Sequence, residues 1–121
     1  MRKTVLAIDD SRTMRDMLRV ALTAEGFDVQ LAEDGIDGLE KLRHVQPAVV
    51  ITDINMPRLD GFGVIDGVRS DERFRRTPVL VLTTESAAEL KQRAKAAGAT
   101  GWIVKPFERT KLVSVLNRLV A

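Results

Sequence analysis

The chain has no cysteine, which rules out a disulfide framework and any thiolate metal site. It also lacks a strong charge of either sign. Nineteen Lys and Arg stand against seventeen Asp and Glu, a net charge of +2, too small an excess for a dedicated nucleic-acid binder despite a calculated pI near 9.3. The N-terminal MRKTVLAIDD offers one short apolar stretch before two acids, too short for a secretion signal or a spanning helix. A soluble, cytoplasmic protein with no membrane and no nucleic-acid partner is expected. The chain contains no internal repeat, low-complexity tract or linker, and residues 69–77 (RSDERFRRT) read as a charged loop of ordinary length. What remains is 121 residues with 45% apolar content, enough for one domain, residues 1–121, with a real core.

Short β-branched runs alternate with stretches of helical period. Residues 4–8, 29–32, 48–52, 79–83 and 101–104 read as strands that are apolar on both faces, as buried parallel strands are. Met14, Met17, Leu18, Ala21 and Leu22 give one helical stripe, stopped by Gly26. Ile36, Leu39 and Leu42 mark a second helix bounded by Pro47, and Phe62, Ile65 and Val68 a third. A fourth runs over about residues 87–97 to Gly98, and Leu112, Val115, Leu116 and Leu119 make a fifth. Strict alternation of this kind forces parallel strands, right-handed crossovers and helices on both faces. The expected fold is therefore an α/β, doubly wound (βα)5 unit.

Four of the five apolar runs end on a residue that can do chemistry: Asp9 and Asp10, Asp53, Thr83 and Lys105. In an open α/β sheet the C-termini of parallel strands share one edge, so these groups are expected to meet there. Each has an ordinary alternative. Asp9, Asp10 or Ser11 could cap the helix that follows, Thr83 could reflect β-propensity, and Lys105 could be a solvated strand end. A third acid ending another buried strand shifts the balance, because clustered carboxylates repel unless a cation or a proton offsets them. Three aspartates without a His or Cys partner suit Mg2+, a hard ion that takes oxygen ligands and is often completed by phosphate, better than zinc.

These residues carry a family resemblance over essentially the whole chain. Asp9-Asp10, the run Asp53-Ile54-Asn55-Met56-Pro57 followed by Asp60-Gly61, the hydroxyl of Thr83, Lys105-Pro106-Phe107 and Glu33-Asp34-Gly35 together resemble a response-regulator receiver domain. The closest likeness is to single-domain chemotaxis regulators of the CheY type. The resemblance implies the flavodoxin-like strand order 2-1-3-4-5, for which CheY itself is a standard example, with the site between strands one and three. It implies that Asp53 is the phosphoacceptor for a phosphohistidine on a chemotaxis-type histidine kinase. It further implies that Asp10, Asp53 and the Asn55 main-chain carbonyl bind Mg2+, that Asp9 acts through a bound water, and that Lys105 pairs with a phosphoryl oxygen. Thr83 is then the switch hydroxyl. Trp102 stands where the family usually has a tyrosine or phenylalanine that changes rotamer with it. The Lys105-Pro106 bond is expected to be cis, as usual in the family.

On this reading phosphorylation adds roughly two negative charges and biases a surface formed by helix four, strand five and helix five. Lys91, Lys95 and Lys111 are placed to line that surface, and Arg12, Arg15 and Arg19 to meet the kinase, although solvated helix faces account for both sets. The expected target is the flagellar motor switch protein or another protein partner, with a phosphatase as a possible third. The chain departs from the family at Thr84, bulkier than the usual small residue and able to obstruct a phosphodonor or water. Asn55 and Glu85 match the pair of fast-hydrolysing chemotaxis regulators, so the signals for phosphoryl lifetime conflict. A phosphate sink for a shared kinase needs the same residues. A Mg2+-dependent phosphohydrolase is disfavoured by the absence of a cap domain, and a phosphorylation-independent scaffold by the full set of site residues. No enzyme activity is expected beyond the chain's own phosphorylation and dephosphorylation, and no built-in DNA-binding output domain.

Overall fold

A computed structural model describes residues 2–121. The elements run β1 (Thr4–Ile8), α1 (Arg12–Ala24), β2 (Asp28–Ala32), α2 (Gly35–Val45), β3 (Val49–Thr52), α3 (Gly61–Ser70), β4 (Val79–Thr83), α4 (Ala88–Ala97), β5 (Gly101–Val104) and α5 (Arg109–Leu119). The strands form one parallel sheet in the order β2-β1-β3-β4-β5, the order that the resemblance implies.

Side chains alternate across a strand, and the core divides accordingly. Val5, Ala7, Val49, Ile51, Leu80 and Leu82 pack with Leu18 and Leu22 of α1 and Leu112 and Leu116 of α5. Leu6, Ile8, Val50, Val79 and Val81 face the other way, onto Leu42 of α2, Val64, Ile65 and Val68 of α3 and Ala94 of α4. The three central strands are thus covered on both sides, as expected from their sequences.

The edge strands differ from that expectation. β2 alternates exposed and half-buried residues, and Val104 of β5 is 39% exposed. An edge strand has a neighbour on one side only, and the helices cover the middle of the sheet. Two helical stripes also need correction. Met17 of α1 is 46% exposed and Ile36 of α2 45% exposed, while Gly38, not Ile36, makes the close contact to the sheet. A Cβ on Gly38 would strike Ile8.

The helix ends follow their sequence signals. Ser11 caps α1 by accepting from the Met14 N–H at 3.2 Å, and Asp34 and Asp60 cap α2 and α3 in the same way. Gly26 and Gly98, at φ +92° and +115°, take the left-handed turns that end α1 and α4. The segment at 69–77 is more than a charged loop. It contains a 3-10 turn over Glu72–Phe74, buries Phe74, and is organised by Arg69, whose guanidinium donates to the carbonyls of Phe74, Thr77 and Gly98 at 2.7–3.1 Å. No helix among the described residues is long and apolar enough to cross a membrane.

Candidate functional site

The C-terminal ends of β1 and β3 lie side by side, Ile8 paired with Thr52, and they deliver Asp9 and Asp53 to one crevice. Asp9 is almost wholly buried and Asp53 nearly so, while Asp10 is exposed at the rim. One carboxylate oxygen from each of Asp9, Asp10 and Asp53 lies within 4.8 Å of the other two. Lys105 arrives from beyond the end of β5, and its ammonium donates to Asp9 Oδ2 and to Asp53 Oδ2 at 2.7 Å each. The Lys105–Pro106 bond is cis, as expected.

Burial is the largest influence on Asp9 and holds its carboxyl above the usual carboxylate range, against the hydrogen bonds from Lys105 and the Ser11 N–H. Burial alone would lower Lys105, but its hydrogen bonds to Asp53 and Asp9 outweigh that, and its pKa is raised. One ammonium therefore serves two of three clustered carboxylates. The remaining negative charge, an all-oxygen donor set and the open rim at Asp10 fit a hard divalent cation. Asp53 keeps its other oxygen on the Ile54 N–H at 2.6 Å, which fixes the carboxylate's orientation.

The second group of expected residues gathers at the end of β4. Thr83 is fully buried, and its hydroxyl accepts from the Glu85 N–H at 3.3 Å. Glu85 in turn meets both neighbours: its Oε1 accepts from Asn55 Nδ2 at 2.8 Å, and its carbonyl accepts from the Trp102 indole N–H at 3.0 Å. Asn55 and Glu85, linked in the sequence only by resemblance, are thus a physical pair. Thr84 stands exposed beside them. Lys91, Lys95 and Lys111 are exposed around grooves that adjoin Trp102.

Three arrangements escaped the sequence. Arg15 turns inward from α1 and donates to the Asp9 carbonyl at 2.7 Å, unlike Arg12 and Arg19 on the exposed face. Arg58, in the loop between β3 and α3, donates to buried Asp34 at 2.6–2.7 Å. The Asp37 N–H, together with Arg58, holds the Asp34 carboxyl below the usual range. Gly61 is more than a turn residue, because a Cβ there would strike the Asp53 carbonyl.

Residues 5–117 match the family described as the response regulator receiver domain. Chemotaxis protein CheY1 of Helicobacter pylori is 41% identical over 105 residues, 85% of each chain. Among solved structures, chemotaxis protein CheY4 of Vibrio cholerae is 42% identical, covers 98% of this chain and 99% of its own, and gives a TM-score of 0.94. The receiver domain of a Pseudomonas aeruginosa sensor histidine kinase, solved with a magnesium ion coordinated in its active-site cleft, is 25% identical with a TM-score of 0.91, covering 99% of this chain and 98% of that one. The family match runs from β1 into α5 and takes in every element that delivers a residue to the crevice, and on that ground the chain belongs to the response regulator receiver family.

Proposed function

We propose that this chain is a phosphorylation-switched regulator of a two-component system, with Asp53 as the phosphoacceptor. The observation that carries the reading is the Lys105 ammonium held 2.7 Å from both Asp53 and Asp9 inside a three-carboxylate cluster. In the proposed reaction an Asp53 carboxylate oxygen attacks the phosphorus of a kinase phosphohistidine, the P–N bond breaks, and the imidazole leaves with a proton. Bound Mg2+, held by Asp10, Asp53 and the Asn55 main-chain carbonyl with Asp9 acting through water, would supply charge neutralisation on the phosphoryl oxygens. Lys105 then exchanges a carboxylate for a phosphoryl oxygen, and the exchange needs little movement.

The hydrogen bonds suggest how modification would be read. A phosphoryl oxygen on Asp53 would be a strong charged acceptor for the Thr83 hydroxyl proton, and drawing the hydroxyl toward it gives up the long 3.3 Å contact that it accepts from the Glu85 N–H. The Glu85 carbonyl that holds Trp102 belongs to the same residue. Thr83, Glu85 and Trp102 thus form a short relay from the crevice to α4, β5 and α5, where Lys91, Lys95 and Lys111 offer cationic contacts to a protein target. Two relatives named as chemotaxis proteins favour the flagellar motor switch as that target. Exposed Met17 and Val20 beside Arg12 and Arg19 favour α1 as the face met by the kinase. The Asn55–Glu85 pair and exposed Thr84, which follow β3 and β4 on the sheet edge that carries Asp53, would set the lifetime of the acyl phosphate.

Intact mass after incubation with a small-molecule phosphodonor tests the chemistry. A single phosphoryl adduct that needs Mg2+ and is lost in Asp53→Asn is expected. An adduct that survives Asp53→Asn, or none under any condition, sinks the proposal.

A further inference from the structure

The loop between β3 and α3 is held at more points than its connecting task requires. Its base is closed by the Gly61 N–H, which donates to the Ile54 carbonyl at 2.8 Å. Further along, the Leu59 N–H donates to the Pro57 carbonyl at 2.8 Å, closing a three-residue turn about Arg58, whose φ is +68°. This is the positive-φ form of the γ-turn, rare and strained for a residue that carries a Cβ. The Arg58 side chain then crosses to α2. Its Nε and Nη2 both donate to Asp34 Oδ2, at 2.7 and 2.6 Å. Asp34 is buried, and its other oxygen accepts from the Asp37 N–H at 2.8 Å while capping α2. Leu59 fills the space left by two missing Cβ atoms, since one on Gly35 or on Gly63 would strike it.

Strained residues persist where their surroundings over-determine them, and they gather at ligand sites. Here the over-determined segment begins at Asn55, three residues before the strained Arg58. We propose that Arg58 and Asp34 form a clamp that sets the position of the Asn55 main-chain carbonyl, so that an ion pair outside the carboxylate cluster tunes Mg2+ affinity. The inference rests on the functional reading above, in which that carbonyl is a ligand of the ion. Arg58 and Asp34 are positioning residues: they act through the loop and do not touch the ion. A carbonyl on a short loop is free to swing unless both ends and the turn are fixed, and ligands are tuned by the groups that orient them.

The two arms of the clamp can be removed with the turn geometry and the helix cap kept. Glycine accepts φ +68° at no steric cost, so Arg58→Gly removes the ion pair and the strain together. Asparagine caps a helix as well as aspartate does, so Asp34→Asn keeps the α2 cap and loses the charge. Mg2+ titration calorimetry and melting in EDTA are to be measured on wild type, both variants and the double variant. The expected result is a Mg2+ Kd raised about tenfold in each single variant, no further rise in the double variant because both changes open the same clamp, and a metal-free melting temperature close to wild type for Arg58→Gly. Unchanged Kd in both single variants, with or without a lower melting temperature, overturns the clamp and leaves a purely structural ion pair. A wild-type chain that binds Mg2+ and is phosphorylated, with both variants binding Mg2+ at the wild-type Kd, overturns this inference alone. A wild type that takes neither Mg2+ nor phosphoryl overturns the functional reading and the inference with it.

Discussion

The crevice between β1 and β3 and the face formed by α4 and β5 are built to opposite specifications. In the crevice Asp9 and Asp53 are buried, the largely covered Lys105 ammonium is hydrogen-bonded to both, and no buried side-chain polar atom among the described residues lacks a partner. On the face, α4 buries Ala94 alone, its N-cap position holds Ala87, and β5 is only half covered. A reaction centre gains from groups already in place, because no reorganisation is then needed as charge develops. An element meant to take a second position gains from shallow burial, because the second position then costs little. The contrast places rigidity where phosphoryl chemistry would occur and compliance where it would be read.

The largest way to break the comparison is to empty the crevice of its cation. Lys105→Met leaves the Asp9 and Asp53 carboxylates facing each other without a counter-charge, and a loss of about 3 kcal/mol of stability is expected in EDTA. Because the Lys105 pKa is raised by folding, its contribution is complete below the ordinary lysine value of 10.5 and fades as pH rises through the folded one. The gap between wild type and variant should therefore close at high pH. It should also narrow in acid, as Asp9 protonates at a pKa already raised by burial. Saturating Mg2+ should recover part of the loss, since the ion meets the same charges. A variant as stable as wild type at neutral pH in EDTA would mean that the ammonium does not hold this crevice together.

How much of this was legible in the sequence follows the same division. Asp9, Asp53, Thr83 and Lys105 were visible because each ends an apolar strand-like run, and the shared edge of a parallel sheet follows from alternation alone. Asn55 and Glu85 were visible only as a family pair; no periodicity relates residues thirty positions apart that meet through two loops. The contact of Arg58 with Asp34 was hidden because a left-handed turn at an arginine has no sequence signal, Gly or Asn being the usual occupants. Met17 and Ile36 fell on the right helical period, yet period gives only a direction, and the neighbours needed to cover them are absent from that side. Arg69 looked like one more charge in a charged stretch.

That arginine offers the second test, since it ties the α4–β5 face to the end of α3. Its guanidinium fastens the Gly98 carbonyl, at the C-terminal end of α4, to the segment after α3. Arg69→Met keeps most of the apolar stem and strands the carbonyls of Phe74, Thr77 and Gly98, at an expected cost of about 2 kcal/mol in urea unfolding. Faster hydrogen exchange over residues 97–101, with exchange at β1 and β3 unaltered, would show that the loss is local to the α4–β5 turn. Uniform acceleration across the sheet would instead make Arg69 part of the common core.

The finest test acts at the other end of α4. Ala87 has φ −63° and ψ 132°, the extended backbone of an N-cap, but a methyl group where a capping oxygen belongs. Ser at this position can accept from an N–H of the first turn, and Ala87→Ser is expected to add about 1 kcal/mol of stability. If the first turn of α4 is what moves when Thr83 leaves Glu85, the cap must be broken for the switch to complete. An added cost of that size would reduce the population of the switched state by about fivefold at equal phosphorylation. Trp102 fluorescence reads this directly, because its indole N–H bonds to the Glu85 carbonyl, two residues before the cap. The expected variant melts higher and shows a smaller phosphorylation-dependent change in Trp102 emission. A higher melting temperature with an undiminished change would confine the switch to the 83–85 loop and β5, and α4 would then be a fixed wall of the output face.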